Sequence, residues 1–143
     1  MNKKIFYTFI FLVFLSNNTN SVFAQNINLQ DIYGEWTFDN MLMEGEGSDN
    51  ERNRKFVEEY NKTSKDSFVM KYLPDGKFIT EKSNQINVEG SWALVNNQIK
   101  ITTNYGENFQ AVKIDKNKKT LTLYVGGIDE DNPTKTMMIF KQK

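Results

Sequence analysis

From Asp66 to the end of the chain, apolar and polar residues alternate in short blocks separated by turn-forming residues, a period-two pattern that points to half-buried strands. The clearest block is Ile86, Val88, Gly90, Trp92 and Leu94 on one face against Asn87, Glu89, Ser91 and Ala93 on the other. Ile99 and Ile101 repeat it around Lys100, Leu121, Leu123 and Val125 around Thr122 and Tyr124, and Val112 and Ile114 around Lys113. Phe68, Met70 and Tyr72 alternate with Val69, Lys71 and Leu73, so that strand is expected to be covered on both faces. Met137 to Phe140 reads as a last strand, and near the N-terminus Gly34, Trp36 and Phe38 share a face opposite Glu35, Thr37 and Asp39. Eight strands follow, over roughly 32–42, 67–73, 77–82, 86–95, 98–103, 108–114, 120–126 and 135–141.

The gaps between these strands decide the topology. Pro74-Asp75-Gly76 is turn chemistry, and Asn96-Asn97 is a two-residue hairpin signal because asparagine tolerates the left-handed backbone. A parallel crossover needs about a dozen residues or more. None of the gaps after Asp66 reaches that length, Gly126 to Thr134 being the longest. The last seven strands should therefore form an antiparallel meander. Closing eight strands into a barrel removes the two long edges that a flat sheet would expose. The expected fold is all-β, an eight-stranded antiparallel up-and-down barrel. One segment breaks the pattern: Ser48-Asp49-Asn50-Glu51 reads as a capping box, followed by Phe56, Val57 and Tyr60 at helical spacing. A helix over about 49–61, between strands 1 and 2, should lie across a barrel end or flank. The polar face of the best strands (Asn87, Glu89 and Ser91, or Lys100 and Thr102) cannot face lipid, so the apolar face should point inward and the barrel should be soluble.

Residues 1–24 read as a signal peptide and 25–143 as the barrel domain. Lys3 and Lys4 precede Ile5–Leu15, ten of whose eleven residues are apolar or aromatic, and Val22-Phe23-Ala24 fits cleavage after Ala24. As a helix those eleven residues would rise only about 16 Å, about half of a hydrocarbon core, so no transmembrane segment is expected after cleavage. No cysteine follows the run, which excludes a lipid anchor; the expected address is secreted or periplasmic. The full chain balances 18 basic against 18 acidic residues, and loss of Lys3 and Lys4 makes the mature chain slightly acidic. Nothing there favours nucleic acid as a partner. Histidine and cysteine are both absent, which removes disulfides, Cys- or His-ligated zinc, and Ser-His-Asp or Cys-His relays. A binder rather than an enzyme is expected, with no catalytic residue, cofactor or metal assigned.

Four ordered motifs carry a resemblance. Gly34-Glu35-Trp36 opens the first strand, Leu73 to Phe78 forms a Leu-Pro-Asp-Gly-Lys-Phe hairpin, Gly90-Ser91-Trp92 is a second Gly-x-Trp, and Phe140-Lys141 ends the last strand. Over about residues 30–142 the chain resembles the bacterial secreted lipocalin-like proteins. That resemblance implies a calycin-type barrel whose usual ligands are small hydrophobic molecules. The chain departs from core lipocalins in lacking a Thr-Asp-Tyr signature and an arginine in the last strand, where Lys141 is a partial substitute for packing over Trp36. The helix after strand 1 is similar to the lid of fatty-acid-binding proteins, which usually have ten strands and a basic residue for the carboxylate.

Five residues are the candidate ligand-binding set: Trp92, Phe68, Met70, Tyr72 and Phe78, each of which also fits ordinary core. Trp36 reads as a plug of the barrel floor. An eight-stranded interior is just wide enough either to fill with side chains or to hold one small ligand. The alternative reading is a filled barrel acting as a protein-interaction or inhibitor module, with Met41, Leu42 and Met43 as an exposed apolar patch. Asp129-Glu130-Asp131-Asn132 reads as a solvated acidic turn, Lys116 to Lys119 as a basic hairpin tip and Glu58-Glu59 as a charged helix face.

Overall fold

The computed structural model describes residues 26–126 and 134–143; the expected leader and the acidic turn at 129–132 lie outside them. Eight strands, β1 (Gly34–Glu44), β2 (Phe68–Tyr72), β3 (Lys77–Lys82), β4 (Gln85–Val95), β5 (Gln98–Thr103), β6 (Gly106–Asp115), β7 (Thr120–Gly126) and β8 (Lys135–Gln142), follow one another round a closed barrel. Every neighbouring pair is antiparallel, including β1 with β8, so the meander and its closure are as expected. Among the described residues two helices accompany them: α1 (Leu29–Ile32), a single turn before β1, and α2 (Glu51–Ser64), between β1 and β2.

The turns are local chemistry. Asn96 and Asn97 take φ of 49° and 60°, the left-handed pair that a two-residue hairpin requires, and Ser83 and Asn84 do the same at 51° and 63°. In the β2–β3 turn the Gly76 N–H donates to the Leu73 carbonyl at 3.0 Å, and the Trp92 N–H donates to Gly76 at 2.8 Å. Gly90, inside β4, is needed for close approach: a Cβ there would overlap the Thr102 carbonyl oxygen.

One end of the barrel, the floor, collects the start of β1, the 73–76, 96–97 and 116–119 turns and the chain's C-terminus. The other end, the rim, collects the end of β1, the start of α2 and the 83–84 and 104–105 turns. Inward residues are apolar and buried, among them Trp36, Phe38, Tyr72, Phe78, Ile99, Ile101, Leu121 and Phe140. Lys71, Lys100 and Lys141 lie on the outer face and pair across strands, whereas Lys82 at the end of β3 takes the inward register. Lys71 bridges Glu81 at 2.7 Å and Glu35 at 3.7 Å, which raises its ammonium pKa, Glu81 contributing most. Lys100 reaches Glu107 at 2.8 Å and Lys141 reaches Asp39 at 3.0 Å. Lys141 therefore points outward and does not pack over Trp36. Val69, on the outer face of β2, is only 9% exposed, so that strand is covered on both sides.

Three β-bulges reset the alternation. Phe38 pairs with Phe140 but Asn40 pairs with Ile139, so Asp39 is the extra residue and the inward positions beyond it are odd-numbered. Met41 is consequently fully buried, while Leu42 is 39% exposed, which breaks the apolar patch expected at 41–43. In β4, Thr80 opposes Val88 but Glu81 opposes Ile86, and the bulge at Asn87 turns Ile86 outward to 60% exposure. Ile86 thus leaves the face it was expected to share with Val88. A third register shift falls between Tyr124 and Gly126.

Helix α2 begins two residues later and ends three residues later than expected, because Asn50 and not Ser48 is its cap. The Asn50 side chain accepts the Asn53 N–H at 2.8 Å, whereas Ser48 and Asn50 donate their own N–H groups to turn carbonyls of Gly45 and Gly47. The helix solves an edge problem. Strand β1 pairs with β2 over only Gly34–Thr37, so beyond Thr37 its backbone on that side has no strand partner. The Asp66 N–H meets the Phe38 carbonyl at 3.1 Å. The Asn61 side chain then acts as a one-residue strand, accepting the Met41 N–H at 2.7 Å and donating to the Met41 carbonyl at 3.1 Å. Tyr60 packs edge-on to Phe38 at 5.3 Å on the same side. Replacing Asn61 by Leu keeps the branching and the number of heavy atoms but strips both hydrogen bonds from a partly buried backbone. Denaturant unfolding should show a loss of about 2 kcal/mol, from two net bonds of about 1 kcal/mol each. A variant as stable as the parent would mean that ring contacts alone hold the helix.

Candidate functional site

The interior is built from the floor upward. Helix α1 and the residues just before it are the base plate: Ile27 and Ile32 are buried against the core, and the Ile27 N–H donates to the Asn97 side chain at 3.3 Å. The Trp36 indole N–H donates to the Ile32 carbonyl at 2.7 Å, satisfying a helix-end acceptor that has no intrahelical partner. The Trp92 indole N–H donates to the Leu73 carbonyl at 2.9 Å, and its ring stands edge-on to Tyr33 at 5.7 Å and to Tyr72 at 5.4 Å. Two indoles, each with its N–H satisfied by backbone, close this end. Trp36 is a plug, as expected.

Above the floor, Tyr72 on β2 sends its hydroxyl to the Gln110 side-chain oxygen on β6 at 3.2 Å. Strands 2 and 6 are opposite one another in a ring of eight, so this hydrogen bond crosses the whole interior like a rung. Burial pushes the Tyr72 hydroxyl pKa far above its ordinary value, so it stays a neutral donor. One inward position nearer the rim lie Thr80 on β3 and Asn108 on β6, exposed by 2% and 1%. The Thr80 hydroxyl is buried with no hydrogen-bond partner. The inner wall thus carries four uncharged polar side chains, Tyr72, Thr80, Asn108 and Gln110, in otherwise apolar surroundings. At the rim, Lys82 opposes Phe68 in the inward register, and burial lowers its ammonium pKa.

All five sequence candidates face the interior, and four of them meet. Phe78 lies 5.2 Å from Tyr72, Trp92 lies 5.4 Å from it, and the Met70 sulfur is 3.8 Å from the Tyr72 hydroxyl. Phe68 sits apart, nearer the rim, its ring tilted against Phe140 at 6.0 Å, which in turn meets Phe38. Sequence reasoning missed Thr80, Asn108 and Gln110. The signal that could have found them is parity: Thr80 shares a face with Phe78, and Asn108 and Gln110 share one with Val112 and Ile114.

No protein-family model matches the chain, and no curated protein does. Among solved structures, the fold is similar to that of a DUF4847 family protein from Bacteroides vulgatus ATCC 8482, at 13% identity and a TM-score of 0.45, over 78% of this chain and 95% of that one. The protein is a closed eight-stranded antiparallel barrel with a plugged floor. Among the described residues no helix is long and apolar enough to cross a membrane.

The floor is also fastened electrostatically. Asp31 of α1 accepts a 3.0 Å ion pair from Lys116 in the β6–β7 turn, which holds its carboxyl below the usual range. A carboxyl whose folded pKa is depressed adds stability above its unfolded value of about 4, and loses that contribution as pH falls through the folded value. Lys116→Met should therefore lower stability near neutrality and make no difference at pH 2, read from denaturant midpoints across that range. A gap between the two proteins that persists at pH 2 would assign the loss to packing.

Proposed function

We propose that this is an exported, lipocalin-like barrel that binds a small hydrophobic or amphipathic molecule in its interior and acts by binding, without catalysis. The observation that carries this reading is the inner wall: an apolar lining that also bears Tyr72, Thr80, Asn108 and Gln110, in a barrel plugged at one end. A barrel that only needed filling would be served better by apolar side chains, since a buried hydroxyl without a partner costs about 1–3 kcal/mol. Ligand sites have this composition, mostly apolar with a few placed polar groups. The plugged floor leaves the rim as the entrance. The lipocalin-like motifs Gly34-Glu35-Trp36 and Gly90-Ser91-Trp92 support the same assignment, and Lys3 to Ala24 supports export to the periplasm or beyond.

Native mass spectrometry of the protein purified from its exported fraction should show a mass beginning at Gln25 and a fraction carrying one retained small molecule. The neutral dye N-phenyl-1-naphthylamine should bind once per barrel, with a fluorescence gain that Phe68→Asp at the rim abolishes. A barrel that retains nothing and takes up no dye would sink the binding assignment; an unprocessed N-terminus would sink the export assignment.

A further inference from the structure

The chemistry of the polar groups inside the barrel narrows the ligand further, on the reading that the interior is a binding site. Thr80 is 2% exposed, its hydroxyl has no hydrogen-bond partner, and it projects from the inner face of β3 between Phe78 and the rim. Across from it, Asn108 lies on the same side of the Tyr72–Gln110 rung. None of these four side chains carries a charge. A carboxylate or ammonium seated among them would be desolvated with no counter-ion, a cost that polar but neutral neighbours do not repay. Lys82 is the one inward-register charge among the described strand residues near this place, and it stands at the rim, a step farther out than Thr80 and partly exposed. An anion held by Lys82 would remain at the mouth and leave the Thr80 hydroxyl still unpaired.

We propose that the ligand carries an uncharged hydrogen-bonding head group, such as an alcohol, amide or ketone, seated on the Thr80 hydroxyl just above the Tyr72–Gln110 rung. Its apolar remainder points toward the rim past Phe68. The rung sets the depth. Below it the interior is filled by Phe78, Trp92 and Trp36, and above it by Phe38, Phe68, Met138 and Phe140. A head group therefore reaches Thr80 only when the rim-side rings part, while the hydrogen-bonded indoles hold the floor.

A matched pair of probes, 1-decanol and decanoate, titrated into the full mature protein at pH 8 tests this. Decanol should bind at least tenfold more tightly than decanoate. Thr80→Val should reduce decanol affinity about tenfold while raising the thermal midpoint of the ligand-free protein, because it removes an unpartnered buried hydroxyl without changing volume. Thr80→Ser, which keeps the hydroxyl, should retain the preference for decanol, and it carries the test if Thr80→Val fails to fold. Tighter binding of decanoate, abolished by Lys82→Met, would overturn the head-group inference and leave interior binding standing. Decanol binding indifferent to Thr80→Val would overturn it equally. Uptake of N-phenyl-1-naphthylamine with neither decyl probe bound would reject this inference alone, whereas uptake of none of the three rejects the proposed function with it.

Discussion

The pairing of β1 with β8 is the interaction on which the rest of the molecule depends. It runs from Trp36 opposite Gln142 to Glu44 opposite Lys135, and it joins the two outer strands of the meander into a ring. It also determines where everything else sits. A strand committed to β8 along its whole length diverges from β2 after four residues, which leaves its other edge bare from Phe38 onward. Helix α2 fills that gap, with Asn61 standing in for the missing strand at Met41 and Tyr60 extending the ring contacts of Phe38 and Phe140. The helix is therefore part of the barrel wall.

Much of this was legible in the chain because period two is a strong signal wherever one face is buried. The boundaries of β3, β5 and β7 agree with the alternation to the residue, and the asparagine pair at 96–97 takes the backbone that its chemistry foretells. What was not legible has a common physical origin. A bulge adds one residue without any change in composition, yet it reverses the face of everything beyond it. Met41 was expected outside and Ile86 inside, and single extra residues at Asp39 and Asn87 exchange them. At the helix start, three capping residues stand in succession, and the choice of Asn50 depends on Gly45–Gly47 turning the chain first. Helix α1 is one turn long, too short for a period to show, and it exists because the floor needs Ile27 and Ile32.

The candidate site was half legible for a related reason. Apolar residues on an inward face announce themselves, so Trp92, Phe68, Met70, Tyr72 and Phe78 could be listed from the pattern alone. Polar residues on the same face read as interruptions. Asn108 and Gln110 look like the solvated start of a strand until Val112 and Ile114 are used to count backward, and then both must point inward. The partner of the Tyr72 hydroxyl lies 38 residues away on the opposite wall, a distance that no local pattern spans.

The energetics of those polar positions bear on what the barrel is for. Closure, the indole plugs and the outward charge pairs satisfy the fold without any polar group in the interior. At position 80 valine would have the same shape, an equal or better strand preference and no hydroxyl to leave unpaired, so its free-energy advantage is of order 1 kcal/mol or more. Gains of that size are within easy reach of single substitutions, so position 80 is one where the chain sits below its stability optimum. Thr80 stands beside a neutral rung that spans the interior, on the side that faces the rim and away from the plugged floor.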